Sequence, residues 1–260
     1  MPPACDILIG TSGWHYKHWL AKFYPERLSS ADMLSWYSRQ FGTVEINNSF
    51  YRLPSEEAFA TWRQTVPSGF IFSVKASRFL THMKRLRDPE VPIDLFFSRA
   101  VHLGDSLGPV LFQLPPKWNV DRSRLEYFLT ALPGGRRYVF EFRDQSWNRR
   151  DIFDLLRRHN AALCLHDWGG LTWPHEFTAN FTYIRLHGFE KRYGGEYPKK
   201  TLQKWSDRVE AWRHGLAAIF VYFNNDAQGY AISNAQQLMR MLGSRHSRNR
   251  SVIEQQSSTR

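Results

Sequence analysis

Hydrophobic residues fall into eight short runs, separated by longer stretches with helical spacing. The runs are Ile7–Thr11, Thr43–Ile46, Phe70–Lys75, Pro109–Leu114, Tyr138–Phe142, Ala161–Leu165, Tyr183–His187 and Ala218–Phe223. Each is short and rich in Val, Ile, Phe or Tyr, as parallel strands buried on both faces are. Between the runs, apolar positions recur every three or four residues. After Asp121, a side chain suited to cap a helix, Leu125, Phe128, Leu129 and Leu132 share one face. From Thr201, the residues Leu202, Trp205, Val209, Trp212 and Leu216 make a second stripe. Ala235, Leu238, Met239 and Leu242 make a third, which Gly243 is expected to close. Helices are also expected over Ala31–Phe41, Ser55–Val66, Leu95–Leu107 and Asp151–His159.

Eight strands, each followed by a helix, specify an α/β fold of one domain, a TIM-type (β/α)8 barrel. An open doubly wound sheet is the alternative, and it is weakened because no GxGxxG follows any strand. No internal repeat or linker divides the body. The expected barrel is residues 1–243, and residues 244–260 read as a basic, polar tail without order. Two loops are long for a compact domain. Gly13–Ser29 follows the first strand and is crowded with Trp14, His15, Tyr16, Trp19, Phe23 and Tyr24. Phe189–Lys200 follows the seventh and is rich in Gly, Lys and Tyr. Loops of this length are often lids or binding loops, and otherwise ordered connections.

The informative departures from the pattern are polar residues at the C-terminal ends of the runs. Strand one ends Thr11-Ser12-Gly13, strand two carries Glu45 and Asn47, strand three Ser73 and Lys75, and strand four Gln113. Strand five carries Glu141 and Arg143, strand six ends His166-Asp167, strand seven carries Arg185 and His187, and strand eight ends Asn224-Asn225. Residues two apart on a strand face the same way, so Glu45/Asn47, Glu141/Arg143 and Arg185/His187 each share a face. Charges inside a barrel are costly except at its open rim, where barrels place their sites. Lys75, Arg143 and Arg185 are therefore expected to bind an anionic or phosphorylated ligand, the arginines through their planar fork. Glu45, Glu141, His166, Asp167 and His187 are the acid–base candidates, and Asn47, Gln113, Asn224 and Trp14 would orient the ligand. The bland alternative is an ion network that only holds the rim together.

A divalent metal is a further option, through His166, Asp167 and His187 with Glu45 or Glu141, though the spacing is not diagnostic. Cys164 lies inside a run and reads as core rather than nucleophile. The loop aromatics, with Trp147, Trp168 and Trp173 after strands five and six, would pack as a cover or stack on a base or sugar.

Composition adjusts this picture modestly. The chain of 260 residues has a length usual for one such barrel. Its 35 basic and 24 acidic residues give a net charge of +11; the tail carries four arginines and one glutamate, which leaves +8 on the body. That balance favours acidic partners, nucleic acid among them, or simply a solvated surface. Two cysteines without CxxC spacing argue against a disulfide framework or zinc cluster, and fit a reduced, cytoplasmic protein. The start, MPPACDILIG, lacks the features of a secretion signal, and no apolar run suggests a membrane span.

Several ordered blocks resemble the family called domain of unknown function 72, or YecE-like proteins. They are GTSGW (Gly10–Trp14), FYP (Phe23–Pro25), VEINNSFYRLP (Val44–Pro54), FSVKASRFLTH (Phe72–His82), LGPVLFQLPP (Leu107–Pro116), EFRDQSW (Glu141–Trp147), YIRLHG (Tyr183–Gly188) and FNNDAQGYAISNA (Phe223–Ala235). The resemblance runs over essentially the whole body and implies a TIM-type barrel, in agreement with the strand count. It implies no particular reaction. Three functions remain open: an enzyme acting on an anionic substrate, a nucleic-acid-binding or nucleic-acid-processing protein, and a metabolite-binding protein without turnover.

Overall fold

The structure is a computed structural model that describes residues 5–167, 173–189 and 193–257, with the side chains of 244–257 left aside. All eight expected strands form: β1 (Asp6–Thr11), β2 (Thr43–Ile46), β3 (Ile71–Lys75), β4 (Leu107–Gln113), β5 (Tyr138–Glu141), β6 (Ala162–His166), β7 (Phe181–Leu186) and β8 (Ala218–Phe223). They pair in parallel in the order β1-β8-β7-β6-β5-β4-β3-β2. The ends of this series meet through a single bridge, Ser12 to Glu45, with the Gly13 amide donating to the Glu45 carbonyl at 2.8 Å. The result is a nearly closed barrel. Gly10 lies at this seam, where a Cβ would come within 2.3 Å of the Thr43 carbonyl oxygen, so only glycine lets β1 approach β2.

Alternation along the strands divides the apolar residues into two cores. Leu111, Val139, Ala162, Cys164, Phe181, Tyr183, Ala218, Phe220 and Tyr222 pack inside the barrel, with Leu8 and Ile71 against them. Their neighbours in sequence, such as Phe112, Phe140, Ile184 and Val221, point outward and pack with the helices. These helices are α1 (Met33–Ser38), α2 (Asn48–Tyr51), α3 (Glu56–Thr65), α4 (Glu90–Ala100), α5 (Arg122–Ala131), α6 (Arg150–Arg158), α7 (Lys199–Trp212) and α8 (Tyr230–Ser257). Local chemistry starts two of them as expected. Ser55 accepts from the Ala58 amide at 3.2 Å, and Asp121 from the Arg124 amide at 3.0 Å, each satisfying a donor left open in a first turn.

Three expectations need correction, and one element is new. The connection from β6 to β7 contains no helix among the described residues, so not every strand is followed by one. The helix expected at Leu95–Leu107 begins earlier, at Glu90, and gives way to a tight 3-10 segment, Val101–Ser106, where Gly104 departs from helical geometry. A π-helical turn, Phe79–Met83, follows β3 and was not anticipated. α8 continues past Gly243 to Ser257. Gly243 does not have the positive φ of a helix-ending glycine. Among the described residues, no helix is long and apolar enough to cross a membrane.

Candidate functional site

Going up the barrel axis, the interior changes from apolar to hydroxylic to charged. In the middle layer the Tyr222 hydroxyl lies 2.6 Å from Thr43 Oγ1 and 2.8 Å from Ser73 Oγ. Tyr183, two residues before Arg185 on the same face of β7, donates to Glu45 Oε2 at 2.7 Å, and Ser12 donates to Glu45 Oε1 at 2.6 Å. Above this layer, Arg185 lies between two carboxylates. Its Nη2 donates to Glu45 Oε1 at 2.8 Å and its Nη1 to Glu141 Oε2 at 2.6 Å. Glu45 and Glu141 are fully buried and Arg185 is 1% exposed. Arg143 pairs with the other oxygen of Glu141, and its Nη2 donates to His187 Nε2 at 3.0 Å. Glu45, Arg185, Glu141, Arg143 and His187 thus form one chain of alternating charge ending in an imidazole. Three strands, β2, β5 and β7, supply it.

The two arginines offset the cost of burying the acids. Burial opposes ionisation of Glu141, but Arg143 and Arg185 outweigh it and hold the carboxyl well below the usual range. Arg185 is likewise opposed by burial, yet Glu45 and Glu141 raise its pKa well above the ordinary value. His187 behaves differently: burial, then Arg185, keeps it well below its usual value and therefore neutral. Both of its ring nitrogens face donors, Arg143 Nη2 at Nε2 (3.0 Å) and the Asn224 amide nitrogen at Nδ1 (3.2 Å). Burial also lowers His166 to about 4, and its Nε2 lies 3.0 Å from the Phe142 carbonyl oxygen. The two imidazole rings are 6.2 Å apart.

Asp167 makes its hydrogen bonds outside the ion chain. It accepts from the His187 backbone amide at 2.7 Å and from the Tyr197 hydroxyl, which in turn accepts from the Gly188 amide at 2.8 Å. Burial raises the Asp167 pKa, and these two donors limit the rise. The aspartate therefore holds the loop after β7 in place. Tyr193 from that loop lies beside the His187 ring at 5.9 Å.

Lys75 is distinct. Its Nζ donates to Gln113 Oε1 at 2.6 Å and lies 4.2 Å from the centroid of the Phe50 ring. Among the described residues it pairs with no carboxylate. Burial, then repulsion from Arg185, lowers its pKa to about 7 against the pull of Glu141 and Glu45. Asn47 and Trp14 stand at the edge of the mouth. They line a cleft of about 180 Å3 with Gly13, His15, Tyr16 and Asn48, and the buried Asn47 Oδ1 has no hydrogen-bond partner among the described residues. Trp14 packs edge-on against Trp62 at 5.2 Å, so much of its ring serves the outer core.

The sequence-based site residues thus gather at one end of the barrel, although in two groups. Glu45, Glu141, Arg143, Arg185, His187 and Asn224 are linked, while Lys75 and Gln113 form a separate pair beside them. His166 joins through ring contact and Asp167 through the backbone. The carboxylate–imidazole metal cluster is not formed: no group of three or more His, Cys, Asp or Glu among the described residues is placed to hold an ion. The reason is electrostatic, since the Glu141 carboxylate is already matched by two guanidiniums. Cys164 is core: its thiol is buried 3.8 Å from Glu141 Oε2, and burial, then Glu141, raises its pKa well above normal. Trp168 lies outside the described residues. The tyrosines 183, 197 and 222 were missed, because an aromatic in an apolar run or loop does not reveal that its hydroxyl will meet a carboxylate or hydroxyl across the barrel.

A model of the family described as protein of unknown function DUF72 matches residues 8–258. The chain belongs to the DUF72 family. It is 27% identical to the UPF0759 protein YunF of Bacillus subtilis (strain 168), over 91% of this chain and 94% of that protein. Among solved structures it is similar to the DUF72 family protein TM1631 of Thermotoga maritima MSB8. That match has a TM-score of 0.82 and 28% identity, over 92% of this chain and 99% of that one. The DUF72 family protein EF0366 of Enterococcus faecalis V583 matches with a TM-score of 0.77 and 19% identity, over 91% and 95% of the two chains. A glycoside hydrolase family 5 enzyme, PbGH5A from Prevotella bryantii B14, has a TM-score of 0.50 at 10% identity over 93% of this chain and 99% of its own. It speaks for the TIM-barrel fold alone.

Proposed function

We propose that this protein is an enzyme acting on a small phosphorylated or otherwise anionic substrate bound across the barrel mouth. The observation that carries this reading is the charge balance of the mouth. Glu45 and Glu141 are matched by Arg185 and Arg143, while Lys75 adds a cation held by a neutral amide. A ligand bearing a carboxylate or phosphate supplies the counter-charge that Lys75 lacks among the described residues. In this reading Lys75 and Arg143 meet the anion, Arg185 keeps the two glutamates ionised and in place, and Gln113, Asn47, Asn224 and Trp14 orient the ligand. The neutral His187 and His166 rings and Glu141 are the groups able to move a proton beside it, with Asp167 fixing the backbone of His187. Unmatched charge at an open strand end is better explained by a ligand than by stability, because desolvating ions gains little by itself.

The test is a melting-temperature series with phosphate, sulfate and glyoxylate, run on the natural chain and on Lys75→Met. Each anion should stabilise the natural chain more than the variant, which controls for general salt effects. Equal responses would remove the anion site. Once a substrate is found, Glu141→Gln should reduce turnover far more than affinity, and equal losses would limit Glu141 to a structural role.

A second reading, binding of nucleic acid, draws on a different feature. The segment after β3 presents Arg78, Arg85 and Arg87 on the surface with exposed Phe79, and exposed Tyr51 and Arg52 stand at the end of α2. Cations interleaved with aromatics suit a single strand. The expected signature is binding that weakens with salt, at a log–log slope of about 0.7 for each phosphate contacted.

A further inference from the structure

We propose that Lys75 is a nucleophilic amine that forms an imine with a small aldehyde or oxo acid in the barrel mouth. The proposal builds on the anionic-substrate reading by naming the reactive group of the substrate, a carbonyl, beside its charge.

A lysine ammonium in a folded protein is ordinarily solvated or paired with a carboxylate. Lys75 is partly buried at the end of β3, and its contacts are the Gln113 amide oxygen and the Phe50 ring. The charged groups that act on it come from three other strands: Glu45 on β2, Glu141 and Arg143 by β5, and Arg185 on β7. Both acids have their oxygens engaged by the arginines, Ser12 and Tyr183, so neither is placed to serve as a counter-ion. His82, from the segment after β3, has its pKa lowered to about 4 by burial, then by Lys75 itself, and is neutral near pH 7. Two fixed guanidiniums therefore stand near an amine that has no anion of its own among the described residues. Losing a proton relieves that repulsion. It also preserves an N–H for Gln113 and exposes a lone pair.

The value of about 7 agrees with this geometry. Near neutral pH about half of such amines are unprotonated, against about one in 2,500 for an ordinary lysine. The step balances without any added reagent. The Lys75 nitrogen attacks the carbonyl carbon, a C–N bond forms, and the C=O π pair moves to oxygen. The two amine protons leave with that oxygen as water, giving the C=N bond. Protonated from solvent, the imine draws electrons from the adjacent C–H or C–C bond, which suits proton transfer or carbon–carbon cleavage next to a carbonyl. On the anionic-substrate reading, Arg143 meets the carboxylate or phosphate of the same molecule.

The experiment treats the full chain at pH 7 with glyoxylate, or with its neutral counterpart glycolaldehyde, in the presence of cyanoborohydride. Peptide mass mapping then locates the reduced adduct among the nine lysines. Glyoxylate should label Lys75 at least about tenfold faster than any other lysine, because about half of its amine is neutral at that pH. The labelling rate should rise with pH around a midpoint near 7. Labelling spread evenly over the lysines, or a Lys75 midpoint near 10, overturns the imine. If glyoxylate still stabilises only the natural chain, the anion site survives that failure. Selective labelling by both aldehydes at equal rates has the opposite meaning: the imine stands and the anionic-substrate reading falls.

Discussion

The two ends of the barrel interior are built from the same strands at the same alternating positions, yet they are stabilised in opposite ways. Toward the N-terminal ends the interior is Leu111, Val139, Ala162, Phe181, Ala218 and Phe220, all apolar, with the exposed Arg137 guanidinium 5.6 Å from the Phe181 and Phe220 ring centroids. Toward the C-terminal ends it is Glu45, Glu141, Arg143 and Arg185, all buried and mutually paired. On β7 the change takes four residues, from Phe181 through Tyr183 to Arg185. Apolar burial contributes about 25 cal/mol for each Å2 withdrawn from water and needs no particular partner. A buried ion network contributes little net stability and fails if one member is lost. A chain that carries both in one cavity has kept the second for a reason other than stability, and a binding site at the open rim supplies one.

This contrast can be broken by mutation, and the largest effect should come from the charged end. Arg185→Met leaves Glu45 and Glu141 buried without their shared cation and should cost about 3–5 kcal/mol in urea unfolding. Adding Glu45→Gln and Glu141→Gln to that variant should recover much of the loss, since the charges needing compensation are gone. If the single change costs under about 1 kcal/mol, the network is not what holds the rim.

Phe220→Ala, at the apolar end, should cost a comparable amount or slightly less, about 3–4 kcal/mol from lost transfer energy and a residual cavity. The distinction is pH. His166 has a folded pKa of about 4 and His187 is also depressed, against 6.5 for an ordinary imidazole. Between those values the unfolded chain binds more protons. Stability is therefore fully present above about pH 6.5 and is lost as pH falls toward 4, at up to about 1.4 kcal/mol per pH unit for each ring. Phe220→Ala should lower the stability–pH curve without changing its shape, whereas His166→Gln should flatten its acid limb. Parallel curves for both variants would mean that His166 does not titrate as described.

Lys75 has the same sign in a higher window. Its folded value of about 7 lies below the ordinary 10.5, so stability rises as pH increases from 7 to 10.5. Lys75→Met should be more stable than the natural chain at pH 6 by about 1 kcal/mol, after allowance for partial exposure, and the gain should vanish by pH 10.5. No gain at pH 6 would show that the ammonium is comfortably solvated. The smallest effect belongs to the surface: Lys84→Ala removes an exposed pair with Asp88 and should change stability by less than about 0.5 kcal/mol.

The sequence by itself determined the eight strands, most of the helices, the α/β barrel and the end at which polar residues gather. These rest on periodicities of two and 3.6 residues, which are local, and on family blocks that span the body. Tertiary structure decided how the charges combine. That Arg185 lies between Glu45 and Glu141, that Arg143 reaches His187, and that Lys75 meets Gln113 and Phe50 all depend on distances between segments far apart in sequence. The same applies to the metal cluster that does not form and to the tyrosines whose hydroxyls complete the polar layer. Residue type states what a side chain can donate, accept or ionise. Only the closed barrel states which partner it meets, and pKa, pairing and reactivity follow from that partner.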